Sequence, residues 1–145
     1  MGNNNTSEPI RVLVVEDSPT AREVILQLLA DETGIRVIGT ATDGRKAVDM
    51  AAEMKPDLII MDVVMPDMDG LEATRHIMQA SPTAILIVTA HYDSKELNVV
   101  FEAMKAGALD VMSKPTVFSD GSTDMWEQEL VNKVKALGRV KPGRG

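Results

Sequence analysis

Five polar side chains stand where apolar runs end, and together they suit phosphoryl chemistry. Val12-Leu13-Val14-Val15 runs into Glu16-Asp17, and Leu58-Ile59-Ile60-Met61 runs into Asp62. Ala84-Ile85-Leu86-Ile87-Val88 ends in Thr89, and the run from Ala108 to Ser113 ends in Lys114. Short runs of this kind read as strands buried on both faces, which puts each polar group at a strand's carboxyl end. In open parallel sheets that edge is where ligands bind. Neighbouring strands lie roughly 5 Å apart. Three carboxylates at that spacing repel, and they stay ionised together only with a cation between them. Oxygen ligands without His or Cys point to Mg²⁺, which keeps waters and favours phosphate oxygens. Asp62 is then a carboxylate nucleophile able to form an acyl phosphate. Asp17 and Asp62 would hold the metal, with Glu16 reaching it through a water. Lys114 adds a positive charge and Thr89 a hydroxyl donor, which is the positioning and charge stabilisation that phosphoryl transfer needs. No general base is required, because an aspartate is already ionised at neutral pH.

Each residue has a plainer reading when taken alone. Glu16-Asp17 suits a charge pair at a helix N-terminus, and Asp62 suits a loop cap. Thr89 suits an ordinary strand end and Lys114 a solvated side chain. What favours the site is the joint placement, each group at the end of its own strand.

The elements that must position these groups alternate regularly. After the first strand, Ser18 caps a helix with Pro19 at its first position and Ala21, Val24, Ile25, Leu28 and Leu29 on one face. Gly34 is expected just past its end. Arg36–Ala41 is a weaker strand, expected at an edge. Asp43-Gly44 opens a second helix with Ala47, Val48, Ala51 and Met54 inward, stopped at Lys55-Pro56-Asp57. Leu58–Asp62 is the third strand, and Pro66 to Gly70 a loop. A third helix carries Leu71, Thr74, Ile77 and Met78 and ends at Ser81-Pro82. After Ala84–Thr89, Ser94 caps a fourth helix with Leu97, Val100, Phe101 and Met104 inward, closed by Gly107. The fifth strand is Ala108–Ser113. A polar loop follows, then a last helix with Leu130, Val131, Val134 and Leu137 on one face. Alternating strands and helices predict an α/β fold with a parallel five-stranded sheet, and five such units suit the doubly wound order 2-1-3-4-5.

Composition agrees with one domain. The chain has 145 residues, 44% of them hydrophobic but only 3% aromatic, with 10 Met, so the core is aliphatic. A net charge of -7 argues against a nucleic-acid partner. The absence of cysteine excludes disulfides and thiolate metal sites and fits a cytoplasmic location. No apolar run approaches the roughly 20 residues of a membrane helix, so no membrane insertion is expected. The myristoylation-like start at Gly2 and the sequon at Asn4 fall in a polar Asn-rich leader, residues 1–9, and are chance matches of short motifs.

The blocks Val14-Val15-Glu16-Asp17-Ser18, Met61-Asp62-Val63-Val64-Met65-Pro66-Asp67-Met68-Asp69-Gly70, Val88-Thr89-Ala90 and Ser113-Lys114-Pro115 resemble, in order, the signature blocks of two-component response-regulator receiver domains. The resemblance implies a flavodoxin-like (βα)5 receiver fold over residues 10–138 and phosphotransfer from a sensor histidine kinase to Asp62. It implies Mg²⁺ ligation by the side chains of Asp17 and Asp62 and the backbone carbonyl of Val64. Thr89 would turn toward the phosphoryl group, Lys114 would pair with it, and Lys114-Pro115 would be a cis peptide. Further stretches are similar to the regulatory domain of chemotaxis protein-glutamate methylesterases: Gly34–Ala41, Gly70–Met78, Gly107–Val111 and the long loop after Pro115. In that family a linker and an esterase domain follow. Residues 139–145 read as the start of such a linker, with no G-x-S-x-G elbow present. The chain is then a regulatory domain that catalyses its own phosphorylation. Its effector is an esterase domain in cis or a separate partner, and its kinase docks near the first helix and the Asp62 loop.

Two positions depart from the pattern. The family commonly has an aromatic switch residue three positions before the lysine; here it is Val111, stiff at χ1 and too small to swing. His91, two residues after Thr89, is either a solvated loop histidine or a group that tunes the acyl phosphate. Two other functions compete. A phosphohydrolase using the same intermediate usually carries its nucleophile after strand one, with a second Asp two residues on. Here Asp62 follows strand three and Val64 takes that second place. A pseudo-receiver that takes no phosphate is disfavoured by the intact set Glu16, Asp17, Asp62, Thr89 and Lys114.

Overall fold

The computed structural model describes residues 8–90, 96–115 and 124–140. His91, the Ser94 cap, the loop after Pro115 and the basic end beyond residue 140 lie outside the described residues, as does most of the Asn-rich leader. The elements are β1 (Ile10–Val15), α1 (Pro19–Ala30), β2 (Ile35–Ala41), α2 (Gly44–Met54), β3 (Leu58–Met61), α3 (Gly70–Ala80), β4 (Ala84–Ala90), α4 (Glu96–Ala106), β5 (Asp110–Lys114) and α5 (Asp124–Leu137). The strands form one sheet in the order β2-β1-β3-β4-β5, all pairs parallel, with β2 at an edge as its weaker apolar character predicts.

The apolar runs are continuous because helices cover both faces of the sheet. Alternate residues go to opposite sides. Leu13, Val15, Ile59, Met61, Ile85 and Ile87 pack with Ala47 and Ala51 of α2, Ala73 and Ile77 of α3 and Ala103 of α4. Val12, Val14, Leu58, Ile60, Leu86 and Val88 pack with Ile25 and Leu29 of α1 and Leu130 and Val134 of α5.

Capping residues start the helices and so fix the loops at the sheet's carboxyl edge. Ser18 accepts from the Ala21 N–H, with Pro19 in the first turn. Asp43 and Asp69 do the same for α2 and α3, accepting from the N–H groups of Lys46 and Glu72. At the other edge, Arg11 donates to the carbonyls of Met54 and Lys55 at 2.9 and 2.8 Å, satisfying acceptors that the end of α2 leaves open.

Several expectations need correction. Helix α1 ends at Ala30 with Asp31 as its cap, so Gly34 is not its terminal glycine; the positive-φ glycine among the described residues is Gly107, at 119°. That turn and the Ala108 N–H bond to the Ala103 carbonyl close α4, so β5 begins at Asp110 and not at Ala108. The inward face of α4 is also different. Phe101 and Met104 are 69% and 45% exposed, while Val99 packs on the core and Ala103 is fully buried. The small Ala103 lets α4 lie close to the sheet, and the larger residues at helical spacing are left facing out.

Candidate phosphoacceptor site

Strand register sets the heights of the site residues. Val15 pairs with Met61, and Met61 with Ile87, so Glu16 and Asp62 leave their strands at the same level. The Asp62 N–H bond to the Val15 carbonyl (2.9 Å) ties the two exits together. Thr89 pairs with Ser113 and Ala90 with Lys114, so the lysine starts higher than the carboxylates. Its long side chain reaches back to them. Lys114 Nζ lies 3.2 Å from both carboxylate oxygens of Glu16 and 3.4 Å from Asp62 Oδ2.

Asp62 is buried, and its two oxygens have different surroundings. Oδ1 accepts the Val63 N–H at 2.8 Å, while Oδ2 faces the Lys114 ammonium. The loop after it is folded back by several main-chain devices. Asp67 takes a left-handed φ of 66°, and Met68 N–H donates to the Pro66 carbonyl. Gly70 N–H donates to the Val63 carbonyl. A Cβ at Gly70 would sit 1.9 Å from the Asp62 carbonyl oxygen, so only glycine permits this approach.

Glu16 is also buried. Its Oε2 accepts the Ser18 N–H at 3.0 Å, and its main-chain carbonyl accepts Arg22 Nη1 at 3.0 Å. Burial pushes its carboxyl up from 4.5 to about 7, with the Asp62 charge and a side-chain hydrogen bond to Asp62 adding to the rise; the Ser18 N–H and Lys114 oppose it. Two buried carboxylates thus share one ammonium.

The structure brings Glu16, Asp62 and Lys114 together. Thr89 is buried one residue before the β4 partner of Lys114. Asp17 is exposed beside Glu16, and Val64 is 75% exposed beyond Asp62. Among the described residues no group of three or more His, Cys, Asp or Glu is arranged to hold a metal ion. The donor chemistry nevertheless fits a hard cation: in this all-oxygen set burial, and then the neighbouring Asp62 charge, raise the Glu16 carboxyl, and a divalent ion would favour its ionised form. Val111 is half-buried against the core. The Lys114–Pro115 bond is trans, against the expectation of cis, in keeping with the preference of about 0.5–1 kcal/mol that X–Pro bonds retain for trans. The sequence reading missed Arg22 and Trp126, whose indole N–H donates to the Ser113 carbonyl. Neither partner is signalled by periodicity, whereas Gly70, after the Asp-rich loop, stood out as part of a motif.

The pattern of the response regulator receiver domain family matches residues 12–122. The chain belongs to that family. It is 44% identical over 132 residues to protein-glutamate methylesterase/protein-glutamine glutaminase 1 of Syntrophus aciditrophicus (strain SB), covering 91% of this chain and 37% of that protein. The chain therefore spans well under half the length of that relative. Among solved structures, the response regulator domain of Thermotoga maritima CheB superposes with a TM-score of 0.84 at 35% identity, covering 93% of this chain and 100% of that one. A CheX-CheY-BeF3-Mg+2 complex from Borrelia burgdorferi matches with a TM-score of 0.77 at 25% identity, over 96% of each chain. This is a receiver domain like those of the chemotaxis methylesterases. No described helix is long and apolar enough to cross a membrane.

Proposed function

We propose that Asp62 accepts a phosphoryl group from a sensor histidine kinase, and that the acyl phosphate switches an effector. The observation that carries this reading is the environment of Asp62, whose Oδ1 is pinned by the Val63 N–H while Oδ2 faces Lys114. One carboxylate oxygen attacks phosphorus. The bond from phosphorus to the donor's imidazole nitrogen breaks, and its electron pair stays on that nitrogen. Lys114 moves its charge from the carboxylates to the new phosphoryl oxygens, and the Thr89 hydroxyl donates to one of them. Mg²⁺ would be held by Asp17 and Asp62, with Glu16 and the Val64 carbonyl beside them, and supplies charge neutralisation when bound.

The Syntrophus relative is much longer than this chain and is a methylesterase, so the effector is best read as an esterase domain joined through a linker beginning near residue 139. A separate protein partner is the other form it can take. Residues 10–138 are the phosphoacceptor unit, working in the cytoplasm beside the kinase.

The test is intact mass after incubation with Mg²⁺ and acetyl phosphate, with Asp62→Asn as control. A single phosphoryl adduct lost in the variant supports the switch. Free phosphate released over many turnovers supports a hydrolase. Neither adduct nor metal binding supports a binding module that takes no phosphate.

A further inference from the structure

We infer that Trp126 is a positioning residue for Lys114, and the contact through which α5 senses an occupied Asp62. The inference rests on the reading of Asp62 as phosphoacceptor. Lys114 is the last residue of β5, an edge strand with a single neighbour, β4. Pro115 follows and has no N–H with which to continue the ladder. An edge strand's end is weakly held unless something covers its unpaired main-chain groups. Here α5 does so. The indole N–H of Trp126 donates to the carbonyl of Ser113, the residue directly before Lys114. About two turns further along, Lys133 pairs with the carboxylate of Asp110 at the start of the same strand. Helix α5 thus runs antiparallel along β5 and grips it at both ends. Leu130 and Val134 of α5 pack with Met112 of β5 between the two grips.

This arrangement gives the site a route outward that does not use Val111, which is packed against the opposite core cluster. A phosphoryl group on Asp62 draws the Lys114 ammonium away from Glu16. The main chain at Ser113–Lys114 adjusts with it, and the indole hydrogen bond follows. Met125, beside Trp126 and 85% exposed, then carries the change to the surface of α5.

Trp126 is the chain's single tryptophan, so its emission reports this contact without a label. The whole chain is treated with Mg²⁺ and acetyl phosphate, and emission and intact mass are followed in the same samples. Emission is expected to change in step with the adduct, and to stay constant in Lys114→Ala even where adduct accumulates. Trp126→Phe keeps a ring in the core but removes the donor. It is expected to slow adduct formation about fivefold, the equivalent of about 1 kcal/mol, with unchanged Mg²⁺ affinity and an intact fold by circular dichroism. An adduct with unchanged wild-type emission, or a Trp126→Phe variant that is phosphorylated at the wild-type rate, overturns the inference alone. Absence of any adduct overturns the phosphoacceptor reading, and the inference with it.

Discussion

The ammonium of Lys114 stands equidistant, at 3.2 Å, from the two carboxylate oxygens of Glu16. It also reaches Asp62 Oδ2 at 3.4 Å, so one buried cation holds two buried carboxyl groups in place. Removing one partner of a buried ionic group leaves the others uncompensated. Lys114→Ala should therefore lose about 3 kcal/mol in urea denaturation without divalent ions. Millimolar Mg²⁺ should return part of that loss. A stability equal to wild type would show that the contact contributes nothing.

Glu16 also makes stability depend on pH. Its carboxyl titrates at about 7 in the folded chain against 4.5 ordinarily. Between those values the folded chain keeps a proton that the unfolded chain has released, so stability falls as pH rises through the window and levels off above it. The full difference is about 3 kcal/mol. Glu16→Gln cannot titrate and should lack this slope when urea midpoints are compared at about pH 5 and about pH 8. Mg²⁺ should flatten the wild-type slope, since a cation favours the ionised carboxylate. Parallel slopes for the two proteins would contradict the assignment.

Gly70 holds the Asp62 loop by the absence of a side chain. Gly70→Ala should cost about 2 kcal/mol, because the clash is with backbone and not with a movable side-chain tip. Gly34 has open space around its missing Cβ and no left-handed φ, so Gly34→Ala should stay within about 0.5 kcal/mol of wild type. Thermal unfolding of the pair checks the contrast. Equal losses would mean that the Gly70 loop can move aside freely.

The orientation of α4 gives a fourth contrast. Phe101 is largely exposed and Ala103 fully buried. Phe101→Ser should leave stability within about 0.5 kcal/mol, whereas Ala103→Leu should cost at least about 2 kcal/mol by overpacking. The reverse ranking would restore Phe101 to the core.

Much of this molecule is legible in its sequence because apolar runs, caps and turn residues act locally. The strand runs ending at Val15 and Met61, the Ser18-Pro19 start of α1 and the Gly107 turn are of this kind. So is the sheet order, once five alternating units are granted. The pairing of Glu16, Asp62 and Lys114 was legible because each sits at the end of its own strand, and sheet order then makes them neighbours. The face of α4 was not, because a stripe of larger residues at helical spacing outweighs the small Ala103 that the sheet accepts. Arg22, Arg11 and Trp126 were missed for another reason. Each donates to a main-chain carbonyl, and main-chain acceptors leave no mark on the sequence.

The central claim is that Asp62 is the acceptor, and the most direct test locates the modification. Borohydride reduces an aspartyl phosphate to homoserine with loss of phosphate. Peptide mass mapping then identifies the residue after treatment with Mg²⁺ and acetyl phosphate. The account predicts homoserine at position 62 alone, and none when Mg²⁺ is withheld. Homoserine at position 17, or at no position despite a phosphoryl adduct, would contradict it.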